Sequence, residues 1–229
     1  MSRTNPPVPR VLTAEFTAGA ARAEQLPPPK TIEVAFAGRS NVGKSSLMNA
    51  LLERKKLVRT SSTPGCTRQI SLFEVTTRLG SRLTLADLPG YGYAKRSHSE
   101  RREWADLIQT YLLKRPALAA LVALVDVRRG LQNEDEQLLE MVESVPKKQR
   151  PPVEIVLVAT KLDKLSGSER KVAMNQLKKQ CSRPILGFST ELPETHELLW
   201  RQLLARLDID QRPPDAAAPP APVSNAAGA

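Results

Sequence analysis

The sequence contains few cysteines and has no long apolar run. Its two cysteines, Cys66 and Cys181, are too few for a disulfide framework, which favours a reducing cytoplasmic location. Neither lies in a C-x-x-C or histidine-rich pattern, so we assign no metal or redox role to them. No apolar stretch approaches the ~20 residues of a transmembrane helix, and the N-terminus has no hydrophobic signal segment. We therefore expect a cytoplasmic chain without a transmembrane segment.

Large apolar residues are also scarce at both ends of the chain. Residues 1–30 are rich in proline and show little apolar periodicity, although residues 13–23 could form a helical turn or two. From Pro213 onward the chain is almost entirely alanine and proline. Segments without large apolar side chains cannot offset the entropy lost on ordering, so we expect residues 1–30 and 212–229 to be disordered tails. The remaining residues, 31–211, fit one domain with a sizeable core.

Positive charge is abundant. The formal net charge is +10 and the pI is about 9.9. Such a charge favours an anionic partner, most simply nucleic acid, although a membrane surface is also compatible. The following basic runs could contact nucleic-acid phosphates or could simply be solvated: Arg54-Lys55-Lys56, Lys95-Arg96, Arg101-Arg102, Arg128-Arg129, Lys147-Lys148 and Lys178-Lys179.

The clearest motif is the loop at residues 38–45. Its sequence, GRSNVGKS, fits the phosphate-binding pattern G-x-x-x-x-G-K-[ST]. Residues 31–37 alternate and then become continuously apolar, as in a buried strand, and residues 46–52 carry apolar side chains at helical spacing. Because the motif lies between a strand and a helix, it predicts a nucleotide site. Lys44 would contact the β- and γ-phosphates, and the Ser45 hydroxyl would ligate Mg²⁺.

The segment that follows, residues 54–68, is polar, basic and interrupted by Pro64-Gly65. This composition predicts a mobile loop. A loop of this kind can supply a threonine to Mg²⁺ when a triphosphate is bound, and Thr63 and Thr67 are the candidates. The alternative is a hydrophilic linker whose threonines have no role.

A second phosphate-site motif, Asp87-Leu88-Pro89-Gly90, follows a predicted hairpin made of residues 69–75 and 82–86. A carboxylate at the end of a buried strand can hold Mg²⁺, and the Gly90 N–H can contact the γ-phosphate. The pattern D-x-x-G is weak by itself. Its position one hairpin after a phosphate loop makes it specific.

A third motif, Thr160-Lys161-Leu162-Asp163, ends another predicted buried strand, residues 153–159. The Asp163 carboxylate can accept hydrogen bonds from N1–H and the exocyclic amino group of guanine, a donor pair that adenine lacks. The Lys161 stem can pack over the base plane and pin this loop. The usual motif begins with Asn, but the Thr160 hydroxyl can still tie this segment to the phosphate loop. After a later strand, the backbone of Ser189 and Thr190 could contact the guanine O6.

Strands and helices alternate along the rest of the chain. Continuous apolar runs at residues 118–125, 153–159 and 184–188 predict strands, and amphipathic or basic segments at 99–115, 131–145, 166–180 and 194–207 predict helices. The pattern predicts an α/β fold, a three-layer P-loop NTPase of the Ras-like G-domain type. Its sheet would be mostly parallel and six-stranded with helices on both faces, and ligands would bind at the carboxyl ends of the strands.

These motifs together resemble the translation-factor class of GTPases and, more narrowly, the EngB (YihA/YsxC) family of ribosome-biogenesis GTPases. The resemblance covers residues 31–207, and its most characteristic parts are the run DLPGYGYA at residues 87–94 and Thr160 in place of Asn. The chain departs from the family at Cys66, where Arg is usual, and in its long tails. The family implies a GTP-dependent role in late assembly of the large ribosomal subunit.

The resemblance also implies roles for individual residues. It implies Mg²⁺ ligation by Ser45 and Thr67, to which the D-x-x-G motif adds Asp87. Nucleotide contacts are implied along residues 65–69 and 188–190. The complete expected GTP-binding set is Gly38, Arg39, Ser40, Asn41, Val42, Gly43, Lys44, Ser45, Gly65, Cys66, Thr67, Arg68, Gln69, Asp87, Leu88, Pro89, Gly90, Thr160, Lys161, Leu162, Asp163, Phe188, Ser189 and Thr190.

The expected chemistry is Mg²⁺-dependent GTP hydrolysis with a low intrinsic rate. Many GTPases place Gln directly after D-x-x-G to orient the attacking water, but this chain has Tyr91. The missing element would come from a partner. Asn41 matches the phosphate-loop Asn that related GTPases use to hold K⁺, so K⁺ is a second possible cofactor. Lys44, Thr67 and Asn41 form the expected catalytic set.

Two other functions remain open. An ATP-using P-loop kinase or ATPase is disfavoured by Asp163, which selects guanine. A nucleotide-gated binding module with little turnover, acting at the membrane or in cell division and septation, is compatible with Tyr91. We expect a monomer that binds GTP and GDP and the rRNA and proteins of the large ribosomal subunit.

Overall fold

The computed structural model describes residues 10–58, 69–92, 98–146, 148, 151–181 and 183–207. The expected nucleotide contacts at Gly65, Cys66, Thr67 and Arg68 lie outside this part of the chain. So do residues 1–9 of the predicted N-terminal tail, residues 208–211 at the end of the predicted domain, and the whole predicted C-terminal tail, residues 212–229.

Seven strands in the described residues form one mixed sheet. The strand order is β1-β3-β4-β2-β5-β6-β7. β3 pairs antiparallel with β1 and β4, and all other pairs are parallel. The strands are β1 (Val11–Ala20), β2 (Glu33–Gly38), β3 (Ile70–Thr77), β4 (Arg82–Asp87), β5 (Leu118–Asp126), β6 (Glu154–Thr160) and β7 (Ile185–Gly187).

Helices cover both faces of the sheet, as the alternation of strands and helices predicts. α1 and α5 pack on one face, and α2, α3 and α4 pack on the other. Trp200 of α5 is a core residue, and its indole N–H donates to the Leu51 carbonyl at 3.0 Å. The helices are α1 (Lys44–Leu51), α2 (His98–Lys114), α3 (Asn133–Glu143), α4 (Gly167–Gln180) and α5 (Pro193–Arg206), with 3₁₀ turns at Ala23–Gln25 and Leu162–Lys164. The three-layer α/β fold is therefore confirmed.

The N-terminal segment differs from the sequence prediction. Residues 11–20, expected to lie in a disordered tail or a helical turn, form β1 and pair with β3 from Val11↔Thr77 to Ala20↔Ile70. This prediction is wrong. Only Val11, Ala14 and Ala20 of β1 are buried, so the strand has no regular alternation of apolar residues from which a strand could be predicted. Backbone pairing with β3, which a sequence pattern does not reveal, orders the segment and adds the seventh strand.

The parallel strands bring their carboxyl ends to one edge of the sheet. β2, β4, β5 and β6 end at Gly38, Asp87, Asp126 and Thr160 respectively. Ligands of open α/β sheets bind outside this edge. The predicted motifs that end β4 and β6 are therefore brought next to the loop that follows β2.

No helix in the described part of the chain is both long and apolar enough to cross a membrane.

Candidate nucleotide-binding site

The phosphate loop connects β2 directly to α1. Gly43 has φ of 104°, and α1 begins at the next residue, Lys44. Close packing requires glycine at Gly38 as well, because a Cβ there would lie 2.8 Å from the Cγ1 of Val42. The N–H groups of the first helical turn have no partners within the helix and carry the positive end of its dipole, so they are suited to a phosphate.

Lys44 and Asp87 meet at the floor of this site. The Lys44 ammonium is hydrogen-bonded to the Asp87 Oδ1 atom, and the residues are only 8% and 3% exposed. A buried charge is tolerated when it is paired, which explains why the two side chains adopt this contact. The site thus holds a cation suited to phosphate beside a carboxylate suited to a metal.

The donor set fits Mg²⁺. The Asp87 carboxylate and the Ser45 hydroxyl are oxygen ligands of the kind that Mg²⁺ prefers. The described residues contain no group of three His, Cys, Asp or Glu side chains that could hold a metal ion. Mg²⁺ is usually bound through one or two carboxylates together with substrate phosphates, so two protein oxygens fit a metal that arrives with a nucleotide.

The chain after Asp87 runs alongside the phosphate loop. The Ser40 N–H donates to the Tyr91 carbonyl at 2.9 Å, and the Tyr91 N–H donates to the Gly38 carbonyl at 3.3 Å. A Cβ on Gly90 would lie 3.2 Å from the Cα and N of Ser40. This close approach holds Gly90 of the D-x-x-G motif beside the phosphate loop.

Tyr91 is tied to α3. It is 9% exposed, and its hydroxyl donates to the Asp135 Oδ1 atom at 2.6 Å. Burial, reinforced by the Asp135 carboxylate, raises the pKa of the Tyr91 hydroxyl far above its ordinary value. Burial also raises the pKa of Asp135, and the Tyr91 hydrogen bond partly opposes this shift. The Tyr91 hydroxyl is therefore neutral and hydrogen-bonded to α3, unlike the side chain of a Gln that orients water.

A second contact joins the phosphate loop to α3. The Arg39 guanidinium lies 2.7 Å from a Glu134 carboxylate oxygen. The same guanidinium lies 3.3 Å from where a Cβ on Gly92 would be, and Gly92 has φ of 76°. The adjacent acidic residues Glu134 and Asp135 thus contact the phosphate loop and the segment after D-x-x-G, respectively.

The third motif contacts the phosphate loop as the sequence predicts. The Thr160 hydroxyl donates to the Val42 carbonyl at 2.7 Å, the tie expected for a hydroxyl residue at this position. The Lys161 ammonium donates to the Asn41 carbonyl at 2.5 Å. Both Lys161 and Asn41 have φ of 64°, so two non-glycine residues in left-handed conformations face each other across this contact.

Asp163 lies beside the loop that follows β7. Its Oδ1 atom accepts from the Ser189 hydroxyl at 3.0 Å, and its Oδ2 atom lies 3.0 Å from the Lys164 ammonium. Although desolvation opposes it, hydrogen bonds from Lys164 and Ser189 hold the pKa of the Asp163 carboxyl below its ordinary value. Asp163 is therefore ionised at neutral pH and suited to accept hydrogen bonds from a base.

Packing against α5 supports this loop. The Phe188 ring stacks on His196 with the ring centroids 4.9 Å apart, and Ser189 is only 1% exposed. The Ser189 carbonyl lies 2.9 Å from the His196 Nε2 atom. The loop is thus held in place next to Asp163.

The structure brings together the expected residues at 38–45, 87–90, 160–163 and 188–190. Gln69 is placed differently, because its side-chain amide lies against Gly19 of β1. Sequence reasoning missed Asp126 and Asp135, and it considered Arg128 only as part of a basic run. Asp126 did carry a signal, since it ends a buried apolar strand as Asp87 does. Asp135 carried none, because its contact with Tyr91 depends on how α3 packs.

Known proteins are similar to this chain in sequence and in fold. A family profile described as a 50S ribosome-binding GTPase matches residues 33–161. A probable GTP-binding protein EngB of Geobacter metallireducens is 47% identical over 161 residues, covering 70% of this chain and 74% of the relative. Another protein of that description, from Desulfatibacillum aliphaticivorans, is 39% identical over 205 residues, covering 87% and 94% respectively. The crystal structure of a probable GTP-binding protein engB matches with a TM-score of 0.57 and 22% identity over 77% of this chain and 98% of that structure, a likeness of fold.

Proposed function

The chain belongs to the EngB family of GTP-binding proteins, and from this premise we propose that it acts as a nucleotide switch in assembly of the large ribosomal subunit. The chain is a GTPase. The observation that carries the ribosomal part is the matched family's description as a 50S ribosome-binding GTPase. The net charge of +10 supports a partner rich in phosphate. We also propose that the protein is located in the cytoplasm and that it is a monomer.

We assign the phosphate site to residues 38–45 and 87–90. Lys44, released from Asp87, would bind the β- and γ-phosphates, and the Gly90 N–H would contact the γ-phosphate. Ser45 and Asp87 would hold Mg²⁺, with Thr67 as the proposed third ligand. When bound, Mg²⁺ neutralises charge on the phosphates.

We assign guanine recognition to Asp163, supported by its ionised state and its position beside Ser189. The Lys161 stem would cover the base while its ammonium binds the phosphate loop. Residues 188–190 would contact the guanine O6 through their backbone.

We propose that intrinsic hydrolysis is slow. The contact between Tyr91 and Asp135 supports this, because the Tyr91 hydroxyl is already hydrogen-bonded to Asp135 and would not orient a water molecule. The proposed catalytic set is Lys44, Thr67 and Asn41, in which Asn41 would hold K⁺ beside the phosphates. A ribosomal partner would supply the remaining element.

The described basic residues support RNA contact to different degrees. α4 carries Arg170, Lys171, Lys178 and Lys179 and a single acidic residue, Glu169. Arg128, by contrast, is engaged by Asp126 and is less suited to RNA. The α4 surface is therefore the best-supported contact for rRNA phosphates.

Co-sedimentation tests the ribosomal proposal. The protein is centrifuged with purified large and small subunits in GDP or in a non-hydrolysable GTP analogue. We expect co-sedimentation with the large subunit in the analogue and release in GDP. Equal binding in both nucleotides, or none, would contradict the proposal and would favour the division or membrane alternative, which anionic vesicles can test directly.

A further inference from the structure

A series of charged groups links the end of β5 to the phosphate loop. Asp126, the last residue of β5, is only 7% exposed, and its Oδ2 atom lies 3.1 Å from the Lys161 ammonium. The same ammonium donates to the Asn41 carbonyl. Lys161 is therefore held between a buried carboxylate and the backbone of the phosphate loop.

Arg128 fixes the carboxylate from the other side. Its Nε atom lies 2.9 Å from Asp126 Oδ1, one terminal nitrogen lies 2.7 Å from Oδ2, and its backbone N–H donates to Oδ1 at 3.1 Å. Paired hydrogen bonds of this kind fix orientation as well as charge. Although desolvation opposes it, hydrogen bonds from Arg128 and Lys161 hold the pKa of the Asp126 carboxyl at about 2. Asp126 is thus a fixed, permanently charged anchor at neutral pH.

Lys161 needs such an anchor. A left-handed backbone is unfavourable for a lysine and persists only when its surroundings hold it. An ammonium has three N–H donors, of which Asn41 and Asp126 each take one. One donor remains for a nucleotide, and the Lys161 Cε atom lies beside the phosphate loop, 3.9 Å from where a Cβ on Gly43 would be.

We propose that Asp126 is a positioning residue for the nucleotide, which it retains by holding Lys161 against the Asn41 carbonyl. Asp126 does not touch the nucleotide and acts only through Lys161. The inference depends on GTP binding and is independent of the ribosomal role.

Nucleotide release measures this effect. Asp126→Asn keeps the side-chain shape but removes the charge, so fluorescent GDP and GTP analogues should leave about tenfold faster in stopped-flow experiments, since one charge-assisted contact is lost. Single-turnover hydrolysis at saturating GTP and the preference for guanine over xanthine should not change. The matched control is Glu154→Gln, which removes the carboxylate of an exposed ion pair with Arg206 and should leave release unchanged.

A double-mutant cycle separates positioning from general loss of structure. Lys161→Met alone should speed release, and adding Asp126→Asn should then have no further effect. The same acceleration by Asp126→Asn in both backgrounds would overturn the proposal, as would an unchanged release rate in the otherwise native protein. If Asp126→Asn does not fold, Arg128→Gln takes its place. It leaves Asp126 and Lys161 paired and should speed release by a smaller factor, whereas no acceleration would again overturn the proposal.

Discussion

At the scale of single residues, the site depends on buried and half-buried charged side chains, each with a defined partner. The Asp87 carboxylate contacts Lys44, whereas Asp163 accepts from Ser189 and keeps capacity for a base. An ionised group that loses its partner in such surroundings is costly, so conservative substitutions here have large effects. They should also have specific effects, since we assign each carboxylate to a different part of the nucleotide.

Asp163→Asn should change the preferred nucleotide. The amide can donate to the C2 oxygen of xanthine but repels the amino group of guanine, so GTP affinity should fall by about 10² or more and xanthosine triphosphate should bind better than GTP. Competition binding with the two nucleotides measures this change. ATP binding as tight as GTP binding in the native protein would contradict the role of Asp163.

Tyr91→Phe should weaken GTP binding relative to GDP. The change removes the Tyr91 donor from the Asp135 carboxylate, which keeps the Gln132 N–H, and it loosens the chain next to Gly90, which is assigned to the γ-phosphate. We therefore expect the ratio of GTP to GDP affinity to fall about three- to tenfold. Equilibrium titration of both nucleotides gives the ratio.

The chain offers a matched control for this substitution. Tyr111 is also buried and donates to a carboxylate, Glu33, at 2.7 Å, but this pair lies at the opposite end of β2. Tyr111→Phe should therefore lower stability while leaving the affinity ratio unchanged. Equal shifts of the ratio in both variants would show that the Tyr91 contact has no specific role.

Asn41 provides a test of the potassium hypothesis. GTP hydrolysis should be faster in K⁺ than in Na⁺, because a monovalent cation beside the phosphates would stabilise the transition-state charge. Asn41→Gly suits the positive φ at this position and should abolish the difference. Steady-state rates with and without large subunits are the measurement, and equal rates in the two salts throughout would exclude K⁺ as a cofactor.

At the scale of elements, β1 extends the sheet by pairing with the edge of β3. The strand is mostly exposed, and one of its specific side-chain contacts is between the Phe16 and Phe73 rings, whose centroids are 5.8 Å apart at 66°. Edge-to-face pairs of this kind add stability beyond the area they bury. The stability of β1 therefore depends on β3 as well as on its own sequence.

Phe16→Ala should lower the free energy of unfolding by about 1 kcal/mol, the size of such a ring contact. Leu12→Ala is the control, because Leu12 is 55% exposed and Phe16 is 52% exposed on the same strand. It should change stability by less than about 0.5 kcal/mol. Urea denaturation measures both, and equal effects would show that the ring contact does not contribute to the order of β1.

At the scale of the whole molecule, the excess of positive charge should make ribosome binding depend strongly on salt. If six to ten phosphates are contacted, affinity for the large subunit should fall by roughly 10³–10⁵ between about 50 and 200 mM salt. Replacing both Lys178 and Lys179 of α4 with Gln should reduce the slope by about 2. The control is Arg78→Gln with Arg82→Gln, which makes the same charge change at the β3–β4 turn. In the strand order, β3 and β4 lie on the opposite side of β2 from β6 and β7, the strands that α4 connects. Equal reductions would show that α4 is not a specific contact.

The fold and the clustering of the three motifs could be predicted from the sequence because local patterns encode them. Apolar runs that end in GRSNVGKS, DLPG and TKLD place three motifs at the carboxyl ends of strands, and parallel pairing must then bring those ends together. A contact between the Thr160 hydroxyl and the phosphate loop was predicted by the same logic, and the structure shows that its partner is the Val42 carbonyl.

The tertiary structure alone decided what depends on packing between distant segments. β1 is ordered by hydrogen bonds to β3, which leave no pattern in its side chains. Tyr91 meets Asp135, 44 positions away, only because α3 packs beside the segment that follows D-x-x-G. Asp126 becomes an anchor for Lys161 because β5 and β6 are neighbours in register. Local sequence determines which residues can bind a nucleotide, and burial and pairing determine which other residues hold them in place.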